Sequence, residues 1–337
     1  MFHSFPFRRR PTERERVLIS ASSLDSLPVQ DYFSCVMKSE SLSFVPFFAR
    51  IASCASTLSL LTLTGCGMFG YSPGKIAAGH FESLVASVNS QEDPELVRQG
   101  FPTMILLLDS MLQEEPDNPD LLLAASTAYA GYAQAFLVPK EENARAVLLY
   151  GRAKEYGLKL LCRRSFFAAA QDEPFGEYEK ALSCFGRDDV PGIYAAANAW
   201  LGWILSQTDS MAALSEMPKA LTLMRRVLEL DETYACGGAH LVFGIYYAVQ
   251  PPGGGRDMEK SKMHFTRAME LSGNGKKLPQ VIYAEYYAVT AGDRELFSSI
   301  LTKTLEKPEH EQKADVLGNA IARERARRLL DRKEDLF

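Results

Sequence analysis

The sequence has few cysteines and none of the motifs that mark common enzyme classes. Six cysteines occur in 337 residues. Those that follow Cys66, namely Cys162, Cys184 and Cys236, are too dispersed to predict a disulfide framework, a metal site or a CxxC pair, so we expect small buried hydrophobic residues. No GxSxG motif, Cys/His nucleophile signature or recognisable carboxylate pair is present. We therefore predict a protein that is not an enzyme and that has no cofactor.

Histidine and glycine are present without the spacing of a ligand site. His80, His240, His264 and His310 show no HExxH or comparable pattern, so we predict no metal site. We expect His240 and His264 to be packing or capping residues inside helices. The glycine run at 253–255 has no Gly-Lys-Ser/Thr ending and no preceding strand, which favours an inter-helix turn over a phosphate-binding loop.

The chain also lacks an excess of positive charge and an alternating β pattern. Its formal net charge is −5, and no basic stripe is visible. Binding to nucleic acid requires such a stripe, so we exclude nucleic acid as a partner. Sustained alternation of apolar and polar residues is absent, which argues against a sheet.

The uncharged apolar run at 51–64 is short. A helix that spans a bilayer needs roughly 20 apolar residues, so this run is more typical of a cleaved export signal. Lys38 and Arg50 precede it, and the tetrapeptide LTGC at 63–66 follows it as a lipobox. We predict cleavage before Cys66 and acylation of its thiol, which would anchor the protein to a bacterial membrane. A buried core helix that ends in Gly-Cys is the alternative.

Residues 1–36 do not fit an export signal, because their arginines lie far upstream of the apolar run. A start at Met37 has the order and length expected of such a signal. We therefore predict that 1–36 is an unstructured upstream extension, that 37–65 is the signal peptide, and that 66–337 is a single all-helical domain. Intact-mass analysis of the natural protein would show whether residues 1–36 are present.

An internal repeat indicates the architecture of this domain. The segment FGIYYAV at 243–249 recurs as YAEYYAV at 283–289, and each begins a helix–turn–helix unit. Apolar and small residues at helical spacing follow each segment. After the first they are Ser261, Phe265, Ala268 and Leu271, and after the second they are Phe297, Ile300, Leu301 and Leu305.

Two earlier units share this design, with Gly131, Gly202, Gly244 and Ala284 as equivalent small residues. A segment at 163–190, interrupted by Pro174, Gly176 and Gly186, is inserted between the first two units. We predict an all-α, solenoid-like stack of four degenerate tetratricopeptide-like helical hairpins. A leading helix at about 95–113 and a closing helix at 313–331 flank the stack.

In such stacks the first helix of each hairpin lines the concave surface. Positions one and five after each small residue should point inward, and they are Tyr132, Phe136, Trp203, Gln207, Ile245, Val249, Glu285 and Val289. Most are apolar, which predicts a groove or channel for an apolar ligand or an amphipathic partner segment. The alternative is that these side chains are simply core.

From Cys66 onwards the sequence resembles the TatT family, the T components associated with tripartite ATP-independent periplasmic (TRAP) transporters. The lipobox and the degenerate hairpins agree with this resemblance. Its specific parts are the turn PPGGGR at 251–256, the segment HFTRAMELS at 264–272 and the tail NAIARERARRLL at 319–330.

The resemblance implies a periplasm-facing, lipid-anchored protein that assembles as a homotrimer. It implies binding to the periplasmic solute-binding P component of a TRAP transporter, and a groove or pore for a small hydrophobic or carboxylate ligand. It carries over no catalytic residue, and Cys66 alone matches a family role, as the lipidated residue. A tetratricopeptide-like lipoprotein scaffold for envelope protein assembly is the alternative function.

Overall fold

A computed structural model describes residues 83–137, 142–273, 275–306, 312 and 315–337. These residues form helices and turns, with no strand among them, which confirms the all-α prediction. The predicted signal peptide, Met37 and Cys66 lie outside the described residues, as do His80 and His310.

Residues 83–89 are helical and precede a series of labelled helices. These are α1 (Pro94–Glu114), α2 (Pro119–Phe136), α3 (Asn143–Leu161), α4 (Ser165–Ala170), α5 (Phe175–Leu182), α6 (Val190–Leu205), α7 (Met211–Ser215), α8 (Met217–Asp231), α9 (Gly238–Val249) and α10 (Met258–Ser272). α11 consists of the consecutive segments Leu278–Ile282, Tyr283–Ala288 and Val289–Ala291, and the middle segment is a π-helix. α12 (Arg294–Leu305), α13 (Val316–Asp331) and α14 (Lys333–Leu336) follow.

Side-chain caps define where several helices begin. Asp93 accepts hydrogen bonds from the backbone N–H groups of Glu95 and Leu96 at the start of α1. Asn118 caps α2 in the same way, and a proline follows each cap. Such caps satisfy N–H groups that have no partner within the helix. The predicted leading helix therefore matches α1, and the predicted closing helix matches α13.

Consecutive helices pack side by side. α2 packs on α3, α6 on α8, α9 on α10, and α11 on α12. α3 also lies along α6, and α13 contacts α1, α11 and α12. Residues predicted from helical spacing to lie on one face are buried: Phe265 and Ala268 of α10 and Phe297 and Leu301 of α12 are fully inaccessible to solvent.

The segment at 163–190 folds as part of the same core. Pro174 immediately precedes α5, and Gly186 precedes the 3₁₀ turn Arg187–Asp189. Gly176 lies inside α5, so the prediction that it interrupts the segment was wrong. Phe167 and Tyr178 of this segment are fully buried beside α6 and α8, which explains why the segment remains helical.

Glycine allows close helix approach at two of the three glycines among the four equivalent positions. A Cβ on Gly202 would overlap the ring of Tyr150, and a Cβ on Gly244 would lie 2.9 Å from the ring of Phe265. At Gly131, in contrast, no heavy atom of the described residues beyond its chain neighbours and its own helix backbone lies within 4 Å of the point that a Cβ would occupy. The tight approach near α2 occurs instead at Gly157, where a Cβ would lie 2.7 Å from the Cα of Ala196.

The expectation for the cysteines was wrong. Cys184 is exposed, and Cys162 and Cys236 are partly exposed free thiols. Cys184 lies in the turn after α5, and Cys236 lies in the 3₁₀ turn Tyr234–Cys236 before α9. Connections between helices run over the surface, so a small hydrophobic side chain there is not drawn into the core.

Candidate functional site

The first two predicted groove residues pack against α1. Tyr132 is 4 % exposed, and its ring lies 6.2 Å from Phe101 and 5.3 Å from Phe136. Its hydroxyl donates to the backbone carbonyl of Arg98 and accepts from Arg145. Tyr132 and Phe136 therefore belong to the packing between α1 and α2, and a role in ligand contact stays a prediction.

Trp203 lies in a polar–aromatic cluster between α3 and α6. The ammonium group of Lys154 is 3.9 Å from the centre of the Trp203 ring and 4.8 Å from that of Trp200. The same ammonium pairs with Glu216. Gln207 donates its side-chain amide to the backbone carbonyl of Trp203. A cation over two indole rings stabilises this corner electrostatically.

Of the other apolar residues predicted to line the groove, two pack against hydrophobic clusters and one is exposed at the surface. Ile245 packs against the cluster around Phe265 and Tyr283, and Val289 packs against the cluster shared by α11, α12 and α13. Val249 is 45 % exposed at the end of α9. These residues do not share one contiguous cluster, since Ile245 and Val289 belong to different ones.

Glu285, the charged member of the predicted set, forms an ion pair with Arg325 of α13. Arg325 donates a hydrogen bond from Nε to the carboxylate oxygen Oε2 at 2.7 Å, and its Nη2 lies 2.6 Å from the same oxygen. The two side chains are only 22 % and 21 % exposed. Burial alone lowers the pKa of Arg325, but the Glu285 carboxylate, with smaller contributions from Tyr286 and Tyr150, outweighs this effect, and the pKa of Arg325 is raised.

Two tyrosines lie close enough to this ion pair to interact electrostatically with Arg325. Tyr286 follows Glu285 on α11, and Tyr150 comes from α3, far away in the sequence. Burial raises the pKa of both phenols, and the positive charge of Arg325 opposes the rise at each. Both phenols therefore stay protonated at neutral pH. The cluster combines an ion pair with two hydroxyl groups on aromatic rings, and we call Tyr150, Glu285, Tyr286 and Arg325 the interior polar cluster.

The π-helical segment of α11 carries half of this cluster. Ala284 and Ala288 of the segment are fully buried, whereas Glu285 and Tyr286 remain partly accessible. π-helical turns are rare and occur frequently at functional sites. In this segment Glu285 pairs with Arg325 of α13, and Tyr286 interacts with Tyr150 of α3. We therefore take the interior polar cluster as the candidate site.

Sequence reasoning found Glu285 but missed its partners. Arg325 lies in the arginine-rich tail and Tyr150 lies on α3, and nothing in the sequence around either residue shows that the two meet. Within the described ranges no group of three histidine, cysteine, aspartate or glutamate side chains could hold a metal ion. The ion pair and the phenol groups of the cluster suit it to a ligand that forms ionic or hydrogen-bonded contacts beside aromatic rings.

Sequence comparison identifies the family. The family model described as TRAP transporter T-component matches residues 90–337. The chain belongs to the TRAP transporter T-component family. A protein of Treponema pallidum (strain Nichols), described as an uncharacterized protein, is 24% identical over 264 residues, which cover 73% of this chain and 81% of that protein. The resemblance found in the turn and the tail is confirmed.

Membership has consequences for the class of function. T components are envelope-associated accessory subunits of TRAP transporters and do not form a known enzyme family. Association with other TRAP subunits follows from the same membership. In the described part of the chain, no helix is both long and apolar enough to cross a membrane.

Proposed function

We propose that this protein is a periplasm-facing lipoprotein accessory of a TRAP-type transporter. It binds the solute-binding P component and provides an apolar groove or pore for a small hydrophobic or carboxylate ligand. The match of residues 90–337 to the T-component family carries this proposal. Acylation of Cys66 provides the anchor, and the protein works as a homotrimer of four-hairpin, tetratricopeptide-like stacks.

The interior polar cluster supports a ligand site within this function. Glu285 was expected at the inner wall of the stack, and three helices bring Tyr150, Tyr286 and Arg325 to it. An enclosed ion pair can orient the polar end of a small molecule, while aromatic rings contact its apolar part. Trp203 follows Gly202, the glycine that packs against the ring of Tyr150, and its own ring packs against Gly151. It therefore adds a further aromatic ring near the cluster.

The sharpest test replaces both members of the ion pair. Glu285→Met with Arg325→Met removes both charges and keeps similar volumes, a change that is often neutral for stability when the pair is buried. Replacing Arg325 alone would leave a carboxylate without its partner and could unfold the protein. We expect the double variant to fold, to bind the P component and to lose transported-ligand uptake in cells.

A matched control exists on the same helix. Glu324 and Arg328 form an exposed ion pair at 3.4 Å, with side chains 54 % and 47 % exposed. Glu324→Met with Arg328→Met should leave both P-component binding and uptake unchanged. Equal uptake in the two double variants would refute the ligand site. If mature protein captures envelope proteins but not the P component, the scaffold function is favoured instead.

A further inference from the structure

The connection between α8 and α9 contains three consecutive residues in the left-handed region. Ala235, Cys236 and Gly237 have φ values of 50°, 56° and 77°. Glycine adopts this region readily, but residues with a Cβ do so at a cost. Two such residues in succession indicate a strained backbone, which persists only if surrounding contacts hold it.

A network of side chains holds this connection from both sides. Glu232, at the end of α8, accepts hydrogen bonds from Nη2 and Nε of Arg267 at 2.5 and 3.2 Å. Its Oε2 also lies 3.1 Å from Nε2 of His240 on α9. Nδ1 of His240 lies 2.9 Å from Nδ1 of His264 on α10. The chain Arg267–Glu232–His240–His264 therefore ties the α6–α8 pair to the α9–α10 pair.

Hydrogen-bond chemistry limits how many protons this network can hold. An ionised carboxylate only accepts hydrogen bonds, so Nε2 of His240 must carry a proton. When both rings are neutral, His264 donates from Nδ1 to His240. With one added proton, one Nδ1 atom still carries hydrogen and the other still accepts, so the bond between the rings is kept. With two added protons both Nδ1 atoms carry hydrogen, and the bond between the rings is lost.

The surroundings of the pair oppose the second proton. Burial, followed by the neighbouring His240, lowers the pKa of His264 to about 4. The rings of Phe243 and Tyr247 stack on His264 at 5.5 and 5.7 Å. Among the charged and titratable groups nearby, Glu232 is the anion in contact with the pair. Arg267 partly neutralises it and also pairs with Glu270, and Lys260 lies over the Tyr247 ring.

We propose that residues 232–237, with His240, His264 and Arg267, form an acid-sensitive hinge between the α6–α8 and α9–α10 helix pairs. At neutral pH the intact histidine bond helps to hold the left-handed turn in place. The second proton breaks this bond and places two positive rings side by side. The strained turn then relaxes, and the two helix pairs change their relative orientation.

Hydrogen exchange measured by mass spectrometry tests the hinge. Exchange times must be corrected for the effect of pH on the intrinsic rate of amide exchange. Between pH 7 and pH 4 we expect amides at 231–241 of the wild type to lose at least tenfold protection, while amides of α2 keep theirs. Unchanged protection at 231–241, or a simultaneous loss throughout the chain, would overturn the proposal.

His264→Phe is the matched variant, because it keeps an aromatic ring against Phe243 and Tyr247 but cannot take up a proton. Its amides at 231–241 should change less than twofold over the same pH range. Loss equal to that of the wild type would contradict the hinge. If the variant does not fold, ¹⁵N NMR of the histidine rings in the wild type provides the test. We expect the second protonation to have the same midpoint pH as the loss of amide protection. Two different midpoints would overturn the proposal.

The strain has an independent readout. Ala235→Gly removes the Cβ from the left-handed turn and should raise the melting temperature of the protein at pH 7. Ala239→Gly is the control within α9, where a helical backbone predicts a lower melting temperature. A decrease for Ala235→Gly as large as that for the control would show that the turn stores no strain.

Discussion

Two glycine-to-alanine substitutions should have different effects on stability. A Cβ added to Gly157 of α3 would lie 2.7 Å from the Cα of Ala196 on α6 and 3.0 Å from the hydroxyl of Ser126 on α2. The Ser126 hydroxyl is itself engaged, since it donates to the carbonyl of Ala153 at 2.9 Å. Gly131 lies in α2, and among the residues that the structure describes no side chain or other helix comes within 4 Å of its Cβ position.

The expected magnitudes follow from two contributions. Alanine favours a helix interior over glycine by about 1 kcal/mol at both sites. At Gly157 the methyl group also meets backbone that cannot rotate away, and such overpacking costs about 1–3 kcal/mol. The helix contribution cancels between the variants. Gly131→Ala should therefore be more stable than Gly157→Ala by about 1–3 kcal/mol.

Urea denaturation followed by circular dichroism measures this difference directly. For a domain of this size, 1 kcal/mol corresponds to a shift of about 2–4 °C in melting temperature, so thermal unfolding gives a second reading. Gly131→Ala should unfold at higher urea than the wild type, and Gly157→Ala at lower urea than Gly131→Ala. Equal stabilisation by both substitutions would refute the close approach of α3 and α6.

Two further predictions concern pH and lipidation. Burial and a hydrogen bond to Asp109 raise the pKa of Tyr156 to about 12, so the folded state holds its proton after the unfolded state has lost it. The free energy of unfolding should therefore fall as pH rises from 10 to 12. The urea midpoint of Tyr156→Phe should fall less than that of the wild type over this range. An identical fall in both proteins would show that Tyr156 does not cause it. If Cys66 is acylated, radiolabelled palmitate should label the wild type and not Cys66→Ala, and equal labelling of both would exclude Cys66 as the lipidated residue.

Local patterns were sufficient to predict several of the longer helices but not the short helices α4, α5 and α7. Phe265 and Ala268 lie on a face with helical spacing, and their burial follows from that spacing because α10 must cover its apolar face. Capping residues such as Asp93 and Asn118 lie next to prolines, and this local signal marks helix starts. The family resemblance could also be read from the sequence, because it depends on a contiguous turn and tail.

The sequence by itself thus determined the all-helical class, most helix positions and the family. Only the tertiary structure brought Arg325 to Glu285, and His264 to His240 and Glu232, because these pairs join separate helices whose relative placement depends on packing across the whole domain. Periodicity shows which face of a helix is buried but not which residue of another helix meets it. The left-handed turn at Ala235 and Cys236 was equally invisible, since surrounding contacts, not the preference of these residues, hold that backbone conformation.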